Sequence, residues 1–226
     1  MNGERVRGAF REGRTALVPY LTGGYPTLEG AREVGEAYLE AGADVLEFGV
    51  PFSDPLADGP TIQDTTTRAL ANGADLDYCL ELASPFSGRV PVIFLLYYNV
   101  IFARGVERFL QEAAGAGVSG LVIPDLPVDE ASQFAELAAA AGVAFCPLVA
   151  PTSTDGCCRV ATARSTPWWI ASIPGRSGLS ATPIATVRST RTVRRNVTRS
   201  TAARRTSGFS VVSGCSASGP PRSPGR

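Results

Sequence analysis

Three times along this 226-residue chain an Ala-Gly pair closes a helical stretch and opens an apolar one: Ala41-Gly42, Ala116-Gly117 and Ala141-Gly142. Glycine reaches the left-handed backbone that ends a helix without the strain a Cβ would bring. The apolar runs that follow, 44–48, 120–123 and 143–149, have strand length, and each meets a proline within a few residues. Strands spaced by helices of about 10–15 residues are joined by crossovers rather than hairpins, which builds a parallel sheet. All-α and all-β classes are thereby excluded. At about 25 residues per unit, the first 155 residues hold about five βα units, fewer than the eight that close a barrel.

The remaining elements fall between these marks. Residues 3–13 read as a short amphipathic helix, 16–21 as a first strand, and Pro26-Thr27 as the start of a helix that Gly42 stops. Two helical pieces, 61–71 and 76–84, are parted by Asn72-Gly73. An apolar strand over 92–96 ends in Tyr97-Tyr98-Asn99, and helices are expected over 105–116 and 129–141.

One strand end stands out chemically. The second strand carries a carboxylate, Glu47, into the loop PFSDPLADGP, which holds three prolines and two more acids, Asp54 and Asp58. Proline fixes φ and removes an N–H, so this loop is stiff and belongs to no helix or central strand. Acids presented at the carboxyl end of a parallel sheet sit where α/β folds do chemistry. Turn capping and a strand-end ion pair are the plainer roles for the same acids. Pro124-Asp125-Leu126-Pro127 forms a second rigid acidic loop.

Composition narrows the chemistry. There is no histidine, so Ser-His and Cys-His machinery is excluded and acid–base work falls to carboxylates, tyrosines or cysteines. The five cysteines, Cys79, Cys146, Cys157, Cys158 and Cys215, form no CxxC pair, which suits a reduced, cytoplasmic protein without a zinc site. No run of 18 apolar residues reads as a membrane span, and the charged N-terminus has no apolar signal core.

The formal net charge of zero conceals a break. All 21 acids lie at or before Asp155 with only 9 of the arginines, a net of −12; residues 156–226 carry 12 arginines and no acid, a net of +12. This last segment also holds 12 serines and 9 threonines, without sustained periodicity, a composition that resembles disordered sequence. Two domains are therefore expected: 1–155, a partial (β/α) barrel, and 156–226, an Arg/Ser/Thr-rich tail, irregular or disordered. A slip of the coding frame near codon 156 of a GC-rich gene accounts for the tail; a basic arm that binds nucleic acid is the alternative.

Four segments, LVPYLTGGYPT (17–27), EFGVPFSDPLADGPTIQ (47–63), YYNVIFARGVERF (97–109) and GLVIPDLPVDEA (120–131), resemble the α subunit of tryptophan synthase. The resemblance covers about residues 4–155. It implies a (β/α)8 TIM barrel that cleaves indole-3-glycerol phosphate to indole and glyceraldehyde 3-phosphate, a lyase of tryptophan biosynthesis in the cytoplasm. By motif match Glu47 is the acid–base and Asp58 the second catalytic carboxylate. Tyr20, Tyr97 and Leu126 match the indole pocket, and Asp125 an acid linked to loop closure. Asp54 and Pro55 match the loop that meets the β subunit in an α2β2 heterotetramer. No metal or organic cofactor is implied for the α chain, pyridoxal phosphate belonging to the β partner, and neither nucleic acid nor membrane is an expected partner. The family's phosphate-holding units are not recognisable after Asp155, and Arg176-Ser177-Gly178 and Ser213-Gly214 are not carried over to that role. Low or absent activity of this chain is the expectation, with a non-catalytic fragment that only binds the β subunit as the alternative.

Overall fold

The computed structural model describes residues 2–11 and 14–148, together with two short strand segments at 169–171 and 184–186. The first part alternates as the Ala-Gly stops predict. Helix α1 (Asn2–Ala9) precedes β1 (Tyr20–Thr22), α2 (Leu28–Glu40), β2 (Leu46–Gly49), α3 (Pro60–Ala71) and α4 (Leu76–Ser87). Then come β3 (Val92–Leu95), α5 (Tyr98–Arg104), α6 (Val106–Gly115), β4 (Val118–Val122), α7 (Val128–Ala140) and β5 (Ala144–Phe145). Strands β1 to β5 form one parallel sheet in sequence order. Strands β6 (Trp169–Ala171) and β7 (Ile184–Thr186) pair antiparallel with each other.

The helix stops work as expected: Gly42, Gly117 and Gly142 all take positive φ, between 79° and 86°, where a side chain would be strained. The starts of α2 and α4 are capped by side chains, Thr27 accepting from the Gly30 N–H at 2.9 Å and Asp75 from the Tyr78 N–H at 2.8 Å. Several boundaries differ from those the sequence predicts. Helix α4 runs to Ser87, past Pro85, rather than stopping at Ser84. Strand β5 spans two residues where seven were expected. Helix α5 was not expected at all; its first N–H, on Tyr98, donates to Asp125 Oδ1 at 2.7 Å, a cap brought from the loop after the next strand.

Alternation along the strands separates two cores. On one face Leu46, Phe48, Phe94 and Leu121 pack under the helices with Phe86, Phe109 and Phe134. On the other, Val18, Val45, Ile93, Val122, Ala144 and Cys146 cluster with Val6 of α1, so α1 lies against this inner face. The register lays one row across the sheet on this inner face: Tyr20, Glu47, Ile93, Gly120, Ala144. Glu47 is the row's only charged member.

Candidate active site

Glu47 sits mid-strand on β2, held at both ends by ladder bonds, with Tyr20 beside it on β1. Its carboxyl makes no hydrogen bond among the described residues, and burial against the inner face pushes its pKa up to about 7. A mid-strand acid with no partner and a near-neutral pKa can release or take a proton at cellular pH.

Asp58 comes to the same side from the loop between β2 and α3, and that loop is fastened. The Tyr97 hydroxyl accepts from the Ala57 N–H at 2.8 Å and donates to Asp58 Oδ2 at 3.1 Å. Gln63 Nε2 donates to the Asp58 carbonyl at 2.9 Å. The Tyr97 ring, 3% exposed, lies against Phe52 with centroids 5.3 Å apart. Burial raises the Asp58 pKa, and the Tyr97 hydrogen bond works against that rise. Burial also pushes Tyr97 up to about 12, so its hydroxyl keeps its proton.

Tyr20 joins the two acids. Its ring lies across Gly49, where a Cβ would come within 2.0 Å of the tyrosine oxygen; glycine at 49 is what leaves the ring room. Burial first, then the charges of Asp58 and Glu47, raise its ionisation far above the ordinary tyrosine value, so both carboxylates are within electrostatic reach of one hydroxyl. That hydroxyl lies 3.3 Å from Thr22 Oγ1, which lies 2.9 Å from Thr65 Oγ1 on α3.

The other expected residues divide. Asp54 is exposed and accepts from the Ser53 hydroxyl, and Pro55 is half-buried beside Leu56, 87% exposed. These three are consecutive in the loop, with Asp54 and Leu56 open to solvent. Asp125 is exposed and serves as the cap of α5. Leu126 packs against the sheet–helix core rather than the inner cluster, so the structure does not join it to Tyr20 and Glu47. Arg176 to Gly178 and Ser213-Gly214 lie outside the described residues. Thr22 and Thr65 were missed: they stand 43 residues apart, and no local spacing connects them. Among the described residues, no group of three or more His, Cys, Asp or Glu could hold a metal ion.

A family model described as tryptophan synthase alpha chain matches residues 7–217. The chain belongs to the tryptophan synthase alpha chain family. A tryptophan synthase alpha chain from Picosynechococcus is 46% identical over 152 residues, 66% of this chain and 58% of that one. One from Prochlorococcus marinus is 45% identical over 177 residues, 77% and 64% respectively. Among solved structures, tryptophan synthase of Mycobacterium tuberculosis superposes with a TM-score of 0.68 at 32% identity, covering 76% of this chain and 66% of that one. The tryptophan synthase complex of Pyrococcus furiosus gives 0.61 at 39% identity, covering 65% and 61%. The fold is accordingly the TIM-barrel fold of tryptophan synthase alpha chains, with five of its parallel strands, four of them followed by a helix, among the described residues. The chain spans between about half and two thirds of the length of the curated relatives it matches. Among the described residues, no helix is long and apolar enough to cross a membrane.

Proposed function

We propose that this chain carries the carbon–carbon lyase chemistry of a tryptophan synthase alpha chain, retro-aldol cleavage of indole-3-glycerol phosphate, in the cytoplasm. The observation that carries the reading is the pair Glu47 and Asp58, one on a strand beside Tyr20 and one on a loop that the Tyr97 hydroxyl fastens. In this reaction a proton is added to C3 of the indole ring and another leaves the side-chain hydroxyl. The C3–carbon bond then breaks, its electron pair returns to the ring, and the hydroxyl carbon becomes the aldehyde. Glu47, with a pKa near 7, gives the first proton and takes the second, ending as it began. Asp58 accepts the indole N–H and stabilises the positive charge that the ring carries in between. The fastening of Asp58 by Tyr97 supports that role, since a preorganised acceptor is not reoriented during reaction.

The loop segment Asp54, Pro55 and Leu56 is the proposed meeting place with a β subunit; a relative from Pyrococcus furiosus is described as an α2β2 complex. We also place the domain break at residue 155. Seven curated relatives align over 140–152 residues, about the length of the acid-bearing part, although another aligns over 177 and the family model runs on to residue 217. Turnover is expected to be slow, because the described residues supply the carboxylate pair and no phosphate-holding loop. Incubating the purified chain with indole-3-glycerol phosphate and measuring indole release tests the reading. Glu47→Gln is expected to lower the rate by about 10²–10⁴-fold, the usual range for a general acid–base. Indole release unchanged by Glu47→Gln and Asp58→Asn would refute it. No indole from the parent chain, with β-subunit activity altered on mixing, would favour the binding-only alternative.

A further inference from the structure

We propose that Thr22 and Thr65 are positioning residues for Tyr20, acting through a one-way chain of hydroxyls that runs from Tyr20 to Thr22 to Thr65 and ends on the Ile62 carbonyl. The direction follows from counting protons. Thr65 Oγ1 lies 2.9 Å from the Ile62 carbonyl oxygen, which can only accept, so the single hydroxyl hydrogen of Thr65 is spent there. At the 2.9 Å contact with Thr22, Thr65 must then accept, and Thr22 donates. Thr22 has no second hydrogen, so at the longer 3.3 Å contact the Tyr20 hydroxyl is the donor. Thr22 is 4% exposed, and a buried hydroxyl left unpaired is costly. The chain satisfies it on both sides.

Two things follow for the site. The Tyr20 ring is tied, through α3, to the helix that begins right after the Asp58 loop, while Gly49 opens the space it occupies. The orientation of Tyr20 beside Glu47 is thus referred to the same element that anchors Asp58. The hydrogen of Tyr20 is also committed inward, so its oxygen meets the cleft with lone pairs only. Thr65 touches neither carboxylate in any hydrogen bond; it acts through Tyr20.

The inference rests on the reading of this cleft as an indole site, and the test separates the two. Indole is titrated against the full chain and against Thr65→Val, Thr65→Ser, Tyr20→Phe and the Tyr20→Phe/Thr65→Val double variant, and the urea midpoint of each is measured. Thr65→Val is expected to weaken indole binding about fivefold, the loss of one net hydrogen bond, and Thr65→Ser to restore it. In the Tyr20→Phe background Thr65→Val should add almost nothing, because the chain no longer has its first member. The same non-additivity is expected in the urea midpoints. Equal effects of Thr65→Val in both backgrounds would overturn the proposal, marking Thr65 as packing alone. If the parent chain binds no indole, the functional reading fails by itself, and the urea cycle alone decides the hydroxyl chain.

Discussion

An acid whose pKa rises from 4.5 to about 7 on folding works against the fold at neutral pH. Between these values the unfolded chain has released the proton and the folded one still holds it, so stability falls as pH rises through that window. Below about pH 4.5 both forms are protonated and the cost vanishes; above about pH 7 it is complete. At about 1.4 kcal/mol per unit, it reaches up to about 3 kcal/mol. Glu47→Gln is therefore expected to raise the urea-unfolding free energy at pH 8 by an amount of that order and to leave it unchanged at pH 4, while indole release drops. Parallel denaturation curves at the two pH values check this. A gain of equal size at both would mean that packing, and not ionisation, separates the variants. The sequence shows Glu47 as a strand-end acid; its lack of a hydrogen-bond partner among the described residues and its desolvation belong to the inner face of the assembled sheet.

At the scale of elements, the loop from β2 to α3 depends on one side chain from the link between β3 and α5. Tyr97→Phe removes both the acceptor for the Ala57 N–H and the donor to Asp58, each worth about 1 kcal/mol, while the ring still packs on Phe52. The expected result is about a tenfold loss in indole release with a stability loss of about 1–2 kcal/mol, read by steady-state assay and urea unfolding; no change in release would detach the loop from catalysis. Much at this scale was legible in the chain itself. The Ala-Gly stops located α2, α6 and α7 because left-handed glycine is a local requirement, and the alternation of strand and helix fixed a parallel sheet. Helix α5 was illegible, since Val100, Ile101 and Phe102 have no helical preference to offset, and its cap, Asp125, arrives from beyond β4. The role of Tyr97 as a fastener was likewise hidden, its hydroxyl meeting residues 39 and 40 positions away. Leu126, matched by motif to the indole pocket, lies with the sheet–helix core because it stands in a loop whose face alternation does not decide.

Across the whole molecule, the charge break at Asp155 is the feature that sequence displayed most plainly. Resequencing the coding DNA over codons 150–165 is expected to expose one inserted or deleted base, whose correction restores acids and helical periodicity downstream; an intact frame would establish the arginine-rich segment as the true continuation. Correcting the frame should also raise indole release by restoring the βα units that family members use for the substrate phosphate.

Helix α1 precedes every strand of the sheet, yet part of its seat comes from the segment around β5. Its Gly3 N–H donates to the Gly142 carbonyl at 2.9 Å, Arg5 reaches the Ser87 carbonyl, and Val6 fills the inner cluster with Cys146 and Ala144. At ordinary synthesis speeds of about 5–20 residues per second, roughly 7–30 s separate the emergence of this helix from that of its seat. During that interval Val6 lacks Ala144 and Cys146, the last members of its cluster, and eight residues are too few to hold a helix alone in water. Val6 therefore completes its packing only once β5 is made, and α1 lies as a bolt across strands of the sheet that precede β5.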